Sequence, residues 1–135
     1  MYTFDGGYMF SRKLFCGEFE LKGAQDSTLV LGEFFDGREI YPLEGTLRDL
    51  DLVTEMVLRV SGMPLTLLGH SLHGMNPYVF SGFSYRGDLP KNTREFDDLF
   101  RLEFHQNGVR EERPQQPVRQ TLAAAAPLEA VRVRR

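Results

Sequence analysis

The sequence predicts a mainly β domain, a single antiparallel sandwich or open barrel with room for one helix, followed by a flexible C-terminal tail. Three observations carry this. Short runs of alternating apolar and polar residues recur through the first hundred positions. Glycine and Asx-Gly or Asn-Pro pairs punctuate those runs at short intervals. All sixteen aromatic residues fall between Tyr2 and Phe104, after which Arg, Gln, Pro and Ala take over. The break divides a β-rich globular body, residues 1–108, from a tail, residues 109–135, that is expected to be disordered or loosely docked. Eleven Phe and five Tyr suffice for a core, since each ring buries on the order of 150–250 Å².

The elements follow in order. Phe15, Phe19 and Leu21 alternate with Glu18, Glu20 and Lys22, with Gly17 on the apolar side, as expected of a half-buried strand. After a turn at residues 23–26, Thr28 to Phe35 reads as a strand with Leu29, Leu31 and Phe35 inward. Asp36-Gly37 predicts a tight hairpin of type I′, because Asp-Gly tolerates positive φ. Pro42 is expected to end or edge the returning strand. Residues 46–61 fit two patterns. Leu47, Leu50, Val53, Val57 and Val60 would form a helical stripe. Leu50, Leu52, Met56, Leu58 and Val60 would form one strand face. Three valines and a threonine favour the strand.

Pro64 to Leu72 is apolar and reads as a further strand, and Asn76-Pro77 breaks the chain after it. Between Tyr78 and Tyr85, Tyr78 and Phe80 lie on one face and Val79, Phe83 and Tyr85 on the other, the pattern of a strand covered on both sides. Gly82 suggests a bulge there. Phe96, Phe100, Leu102 and Phe104 alternate with Asp97, Arg101, Glu103 and His105. Asn107-Gly108 then predicts a hairpin into a polar return strand, Val109 to Arg113. Ala123 to Ala126 allow one helical turn, stopped by Pro127.

Charge and composition narrow the function. Residues 1–108 hold ten Lys/Arg and sixteen Asp/Glu, a balance of −6; the tail holds six Arg and three Glu, a balance of +3; together they give the net −3 of the chain. An acidic body repels phosphate backbones, which leaves nucleic acid at most a weak contact with the tail. The single cysteine, Cys16, excludes an intramolecular disulfide and suits a reducing compartment. With no basic and apolar leader and no membrane-length apolar run, the expected location is cytoplasmic.

One segment carries a catalytic pattern. Gly69-His70-Ser71-Leu72-His73-Gly74 resembles the nucleophile elbow of α/β-hydrolases, Gly-x-Ser-x-Gly, with Leu65 to Leu68 in the place of the preceding strand. The resemblance covers about 30 residues and implies Ser71 as nucleophile, His105 as base and Asp98 as its acidic partner. The chain departs from the family at His73, where the second glycine belongs, and at Asn76-Pro77, where the helix should start. It also lacks an upstream His-Gly oxyanion loop, and His105 stands too near Asp97 and Asp98 for the family's spacing. His70 and His73 point to opposite faces if the segment is a strand, which defeats chelation. No metal or cofactor is therefore expected, and no P-loop or dinucleotide fingerprint occurs. Arg86-Gly87-Asp88 reads as a loop. Tyr78, Phe80, Phe83 and Tyr85 are candidates to line a cavity for an apolar ligand. The reading favoured by the sequence is a small non-enzymatic binding module for another protein, of inhibitor, immunity or adaptor type. The serine hydrolase and the ligand-binding barrel are the alternatives.

Overall fold

Eight antiparallel strands close into a meander barrel in the computed structural model, which describes residues 1–23, 26–72 and 78–106. They are β1 (Tyr2–Tyr8), β2 (Leu14–Gly23), β3 (Thr28–Phe35), β4 (Ile40–Asp49), β5 (Val53–Val60), β6 (Leu65–Leu72), β7 (Val79–Tyr85) and β8 (Asp98–Gln106). Each strand pairs with its neighbours in chain order, and β8 returns to β1. The Met9 amide donates to the Leu99 carbonyl at 2.8 Å there, and Gly6 lies against Leu102. The expected mainly antiparallel β domain is thus present, and of its two alternatives, sandwich and open barrel, it takes the barrel, here closed. No helix occurs among the described residues.

Closure follows from how large and small residues share the inner wall. Register places Phe4 beside Gly17 and Gly17 beside Phe34. Phe19 stands beside Gly32 and then Leu43, and Val30 beside Gly45 and then Leu58. Met56 faces Gly69, which faces Gly82, which faces Phe100. A small barrel has room for a bulky side chain only where the adjoining strand offers none. At Gly32 a Cβ would fall on the Glu18 carbonyl and within 2.5 Å of the Phe19 Cα, so the strands approach where only glycine fits. The bore is filled by Phe4, Phe15, Phe19, Phe34, Phe100 and Phe104, with Met56, Leu58 and Leu67 among the fully buried side chains. Rings meet at 4.8 Å between Phe19 and Phe104 and at 5.3 Å, stacked, between Phe15 and Phe34.

Several expectations are corrected. On β3 the inward residues are Val30, Gly32 and Phe34, while Leu31 and Phe35 are exposed. The inward run of β2 through Phe15, Phe19 and Leu21 dictates that parity across the ladder, since paired residues share a face. Residues 46–61 are neither one strand nor a helix. A turn at residues 50–52 separates β4 from β5, leaving Leu50 and Leu52 exposed and Leu47 packed on the core. The hairpin at Asp36-Gly37 has a four-residue loop and is not type I′, since positive φ occurs at Gly37 and not at Asp36. The Asp36 carboxylate shapes it by accepting the Arg38 and Glu39 amides at 2.8 and 2.9 Å. Pro42 is accommodated inside β4 because the β4–β5 ladder begins only at Leu43 and Val60. Gly82 keeps the ladder register and makes no bulge. Residues 24–25 of the turn expected at 23–26, Asn76-Pro77, the hairpin expected at Asn107-Gly108 and the tail lie outside the described residues.

The long β7–β8 connection, residues 86–97, covers part of the outer wall. Phe83 on β7 packs on Phe96 at 4.7 Å, Tyr85 Oη donates to the Thr93 carbonyl at 2.7 Å, and Thr66 Oγ1 donates to the Gly87 carbonyl at 2.5 Å. Asp97 secures both ends, its amide donating to the Ser84 carbonyl and its carboxylate accepting the Arg86 amide. This explains why β7 is apolar on both faces.

Candidate functional site

Ser71 lies within β6, where its backbone pairs with Thr54 on β5 in an unbroken antiparallel ladder. Its side chain faces the bore and is 2% exposed, and its Oγ has no hydrogen-bond partner among the described residues. Among the described residues no strand-to-helix turn presents it to a substrate. Asp98 opens β8 in the register row of Ser84 and Leu67, four positions along β6 from Ser71. Its carboxylate is a clamp for the β1–β2 turn. Oδ1 accepts the Phe10 amide at 2.9 Å and the Leu99 amide at 2.7 Å, and Oδ2 accepts the Ser11 amide at 3.1 Å. Partial burial pushes its carboxyl upward, but these donors outweigh that and hold it below the usual carboxylate range. His105 lies on the outer side of β8, opposite in parity to the inward Phe104, with Nε2 3.4 Å from Asp5 Oδ2. The three residues sit in three separate places, and the barrel does not bring them together.

The aromatic candidates are likewise dispersed. Phe80 is inside the bore, 5.0 Å from Phe104. Phe83 and Tyr85 are outside, under the β7–β8 connection, and Tyr78 is 54% exposed. His70 faces outward beside Glu55, with Nε2 3.7 Å from Oε2. His73 lies outside the described residues. Among the described residues no three His, Cys, Asp or Glu side chains are placed to hold a metal ion.

Two other features of the surface stand out. The first is the outer face of β2–β4. Register sets Cys16, Phe35 and Ile40 in one outward row, with Ile40 63% exposed. The next row puts Glu18 directly opposite Glu33. The row after that puts Leu31, 47% exposed, between Glu20 and Glu44. Like charges directly opposed across a ladder are unfavourable, and these four glutamates enter none of the salt bridges found among the described residues. Alternating patterns predicted the exposed glutamates of β2. The inverted parity of β3 hid Leu31 and Phe35.

The second is a cup of about 770 Å³ at one end of the barrel. Turns β1–β2, β3–β4 and β5–β6 and the start of the β7–β8 connection all emerge at this end, because alternate hairpins of a meander point the same way. Phe15, Phe34 and Leu65 form apolar walls, and Tyr8 packs on Phe15 at 5.0 Å. Lys13, Arg38 and Arg86 line the rim beside Asp36. Burial, with the Asp98 and Asp36 carboxylates nearby, pushes the Tyr8 phenol up to about 12, so it remains a protonated hydroxyl. The Glu39 and Arg38 amides hold the Asp36 carboxyl low. Each rim residue stands beside a turn, but nothing local in the sequence joins four turns into one site. No family model, no curated protein and no solved structure matches this chain.

Proposed function

We propose that this chain is a small non-enzymatic protein-binding module whose contact surface is the outer face of β2–β4. The observation that carries the reading is the exposed group Leu31, Phe35 and Ile40, set among Glu18, Glu20, Glu33 and Glu44 on three paired strands. Apolar side chains held on a rigid sheet supply contact area with little ordering cost. The surrounding carboxylates select a cationic partner and speed its approach. A partner contributing Arg or Lys beside one or two apolar groups would also relieve the Glu18–Glu33 opposition. The filled bore supports the same reading, since it leaves the work of recognition to the outside and the ends. The outer wall carries charges within its strands, at Glu18, Glu33 and Arg101, the reverse of the apolar band required of a lipid-spanning barrel.

The test places a photo-crosslinking residue at Ile40 in one protein and at Arg101 in another, and exposes both to extract from the native host. A discrete adduct from position 40, absent from position 101 and lost on Glu18→Lys with Glu33→Lys, is the expected result. Equal capture from both positions, or capture indifferent to the charge reversal, would overturn the assignment.

A further inference from the structure

We infer that the cup at the turn end of the barrel is a binding site for a small organic anion with an apolar body, an amphiphilic carboxylate. This goes beyond the outer-face reading and does not depend on it. The volume of about 770 Å³ lies within the range of small-molecule sites, on the order of 300–1,000 Å³. Its chemistry is divided in the way an amphiphile requires. Phe15 and Phe34, stacked at 5.3 Å, belong to the buried core and give the cup a rigid apolar floor. Lys13, Arg38 and Arg86 come from three different turns and line its rim, against Asp36 in the lining and the Asp98 carboxylate near Tyr8.

That local sign runs against the rest of the body, which carries −6 over residues 1–108. Three of its ten Lys and Arg residues collect at this one opening. Among the described residues none of the three forms a salt bridge, whereas Arg48, on the outer wall, is paired with Glu55 at 3.1 Å. The Asp36 carboxylate already accepts two backbone amides within its own turn. Arg38 feels the Asp36 charge but is not held in a salt bridge, so the three cations can turn to an incoming anion, and guanidinium groups suit a planar carboxylate in particular. Tyr8 adds a neutral hydroxyl in the cup wall that can donate to the same headgroup.

The experiment uses the full chain and three ten-carbon probes that differ only in headgroup: decanoate, decanol and decyltrimethylammonium. Backbone amide shifts are followed by NMR as each is added below its micelle concentration. Decanoate is expected to bind saturably and to shift Tyr8, Arg38, Leu65 and Arg86. Decanol should bind about tenfold more weakly or worse, because it forfeits the charge-assisted contacts. The cation should not bind. Arg38→Glu and Arg86→Glu should each weaken decanoate by about tenfold or more. Arg101→Glu, an equal charge change on the outer wall of β8, should leave it unchanged. All three positions are exposed, so the fold survives each substitution. Equal affinity for decanoate and decanol would overturn the inference. So would shifts mapping to another part of the barrel, or an Arg38→Glu effect no larger than that of Arg101→Glu.

Discussion

Replacing Gly32 with alanine sets a methyl group against the backbone of β2. The new Cβ overlaps the Glu18 carbonyl oxygen and comes within 2.5 Å of the Phe19 Cα and 2.6 Å of its Cβ. None of these is the end of a flexible side chain, so β2 must move away from β3 to admit it. Overpacking of this kind costs about 1–3 kcal/mol, and a backbone obstacle places it near the upper end. Alanine recovers about 0.5–1 kcal/mol by losing less freedom on folding than glycine. The net loss is about 2 kcal/mol. In urea, with a slope of about 1–3 kcal/mol per molar for a domain of this size, the midpoint should fall by roughly 1 M. The control is Gly23→Ala, where a Cβ meets nothing within 4 Å and the backbone is not left-handed. That variant should match the parent or gain a few tenths of a kcal/mol. If Gly32→Ala unfolds at the parent's midpoint, or Gly23→Ala loses as much, close strand approach is not what closes this barrel.

Four further outcomes are expected. Phe34→Ala removes a ring with 0% exposure from the bore and should cost about 3–5 kcal/mol, leaving a measurable unfolded fraction in near-ultraviolet circular dichroism. Ser71→Ala should be neutral or stabilising by up to about 1 kcal/mol in denaturant titration, since it deletes a buried hydroxyl with no partner among the described residues; a clear loss would contradict that. The Asp98 carboxyl is depressed in the folded state, so its contribution is present above the unfolded value of about 3.9 and lost as pH falls through the folded value. Asp98→Asn should therefore flatten the acid limb of the stability profile while loosening amide protection at Phe10 and Ser11. The Tyr8 phenol is raised, so stability should decline as pH rises from 10 toward 12. Tyr8→Phe should remove that part of the decline, as read by denaturation at both pH values.

Alternation revealed the inward face of β2 because its other face carries Glu18, Glu20 and Lys22. It misassigned β3 because that strand is apolar on both sides, and its inward set includes a glycine that contributes nothing to a hydrophobic count. Gly32 matters through its neighbour Phe19, and that pairing becomes visible only when the two strands are in register. The same reason hid the turn at residues 50–52, whose exposed Leu50 and Leu52 imitate a strand face. The cup was illegible for a different reason. Its walls come from positions as distant as Tyr8 and Arg86, which meet only because an even number of hairpins separates them in a closed sheet. In the one catalytic motif the sequence offers, Gly69 to Leu72 run as strand in the antiparallel ladder of β5 and β6, while His73-Gly74 lie outside the described residues.

The seam between β1 and β8 has a consequence for how the molecule is made. Seven of the strands can pair with a neighbour already synthesised, hairpin by hairpin, but β1 waits for Asp98–Gln106 before its second edge is covered. Through most of translation the nascent sheet therefore carries two open margins, on β1 and on the most recently made strand, of the kind that recruit other chains. Sealing them is a single late event, and any lesion that delays β8 should appear first as lost yield and aggregation during expression, ahead of any change in the finished protein.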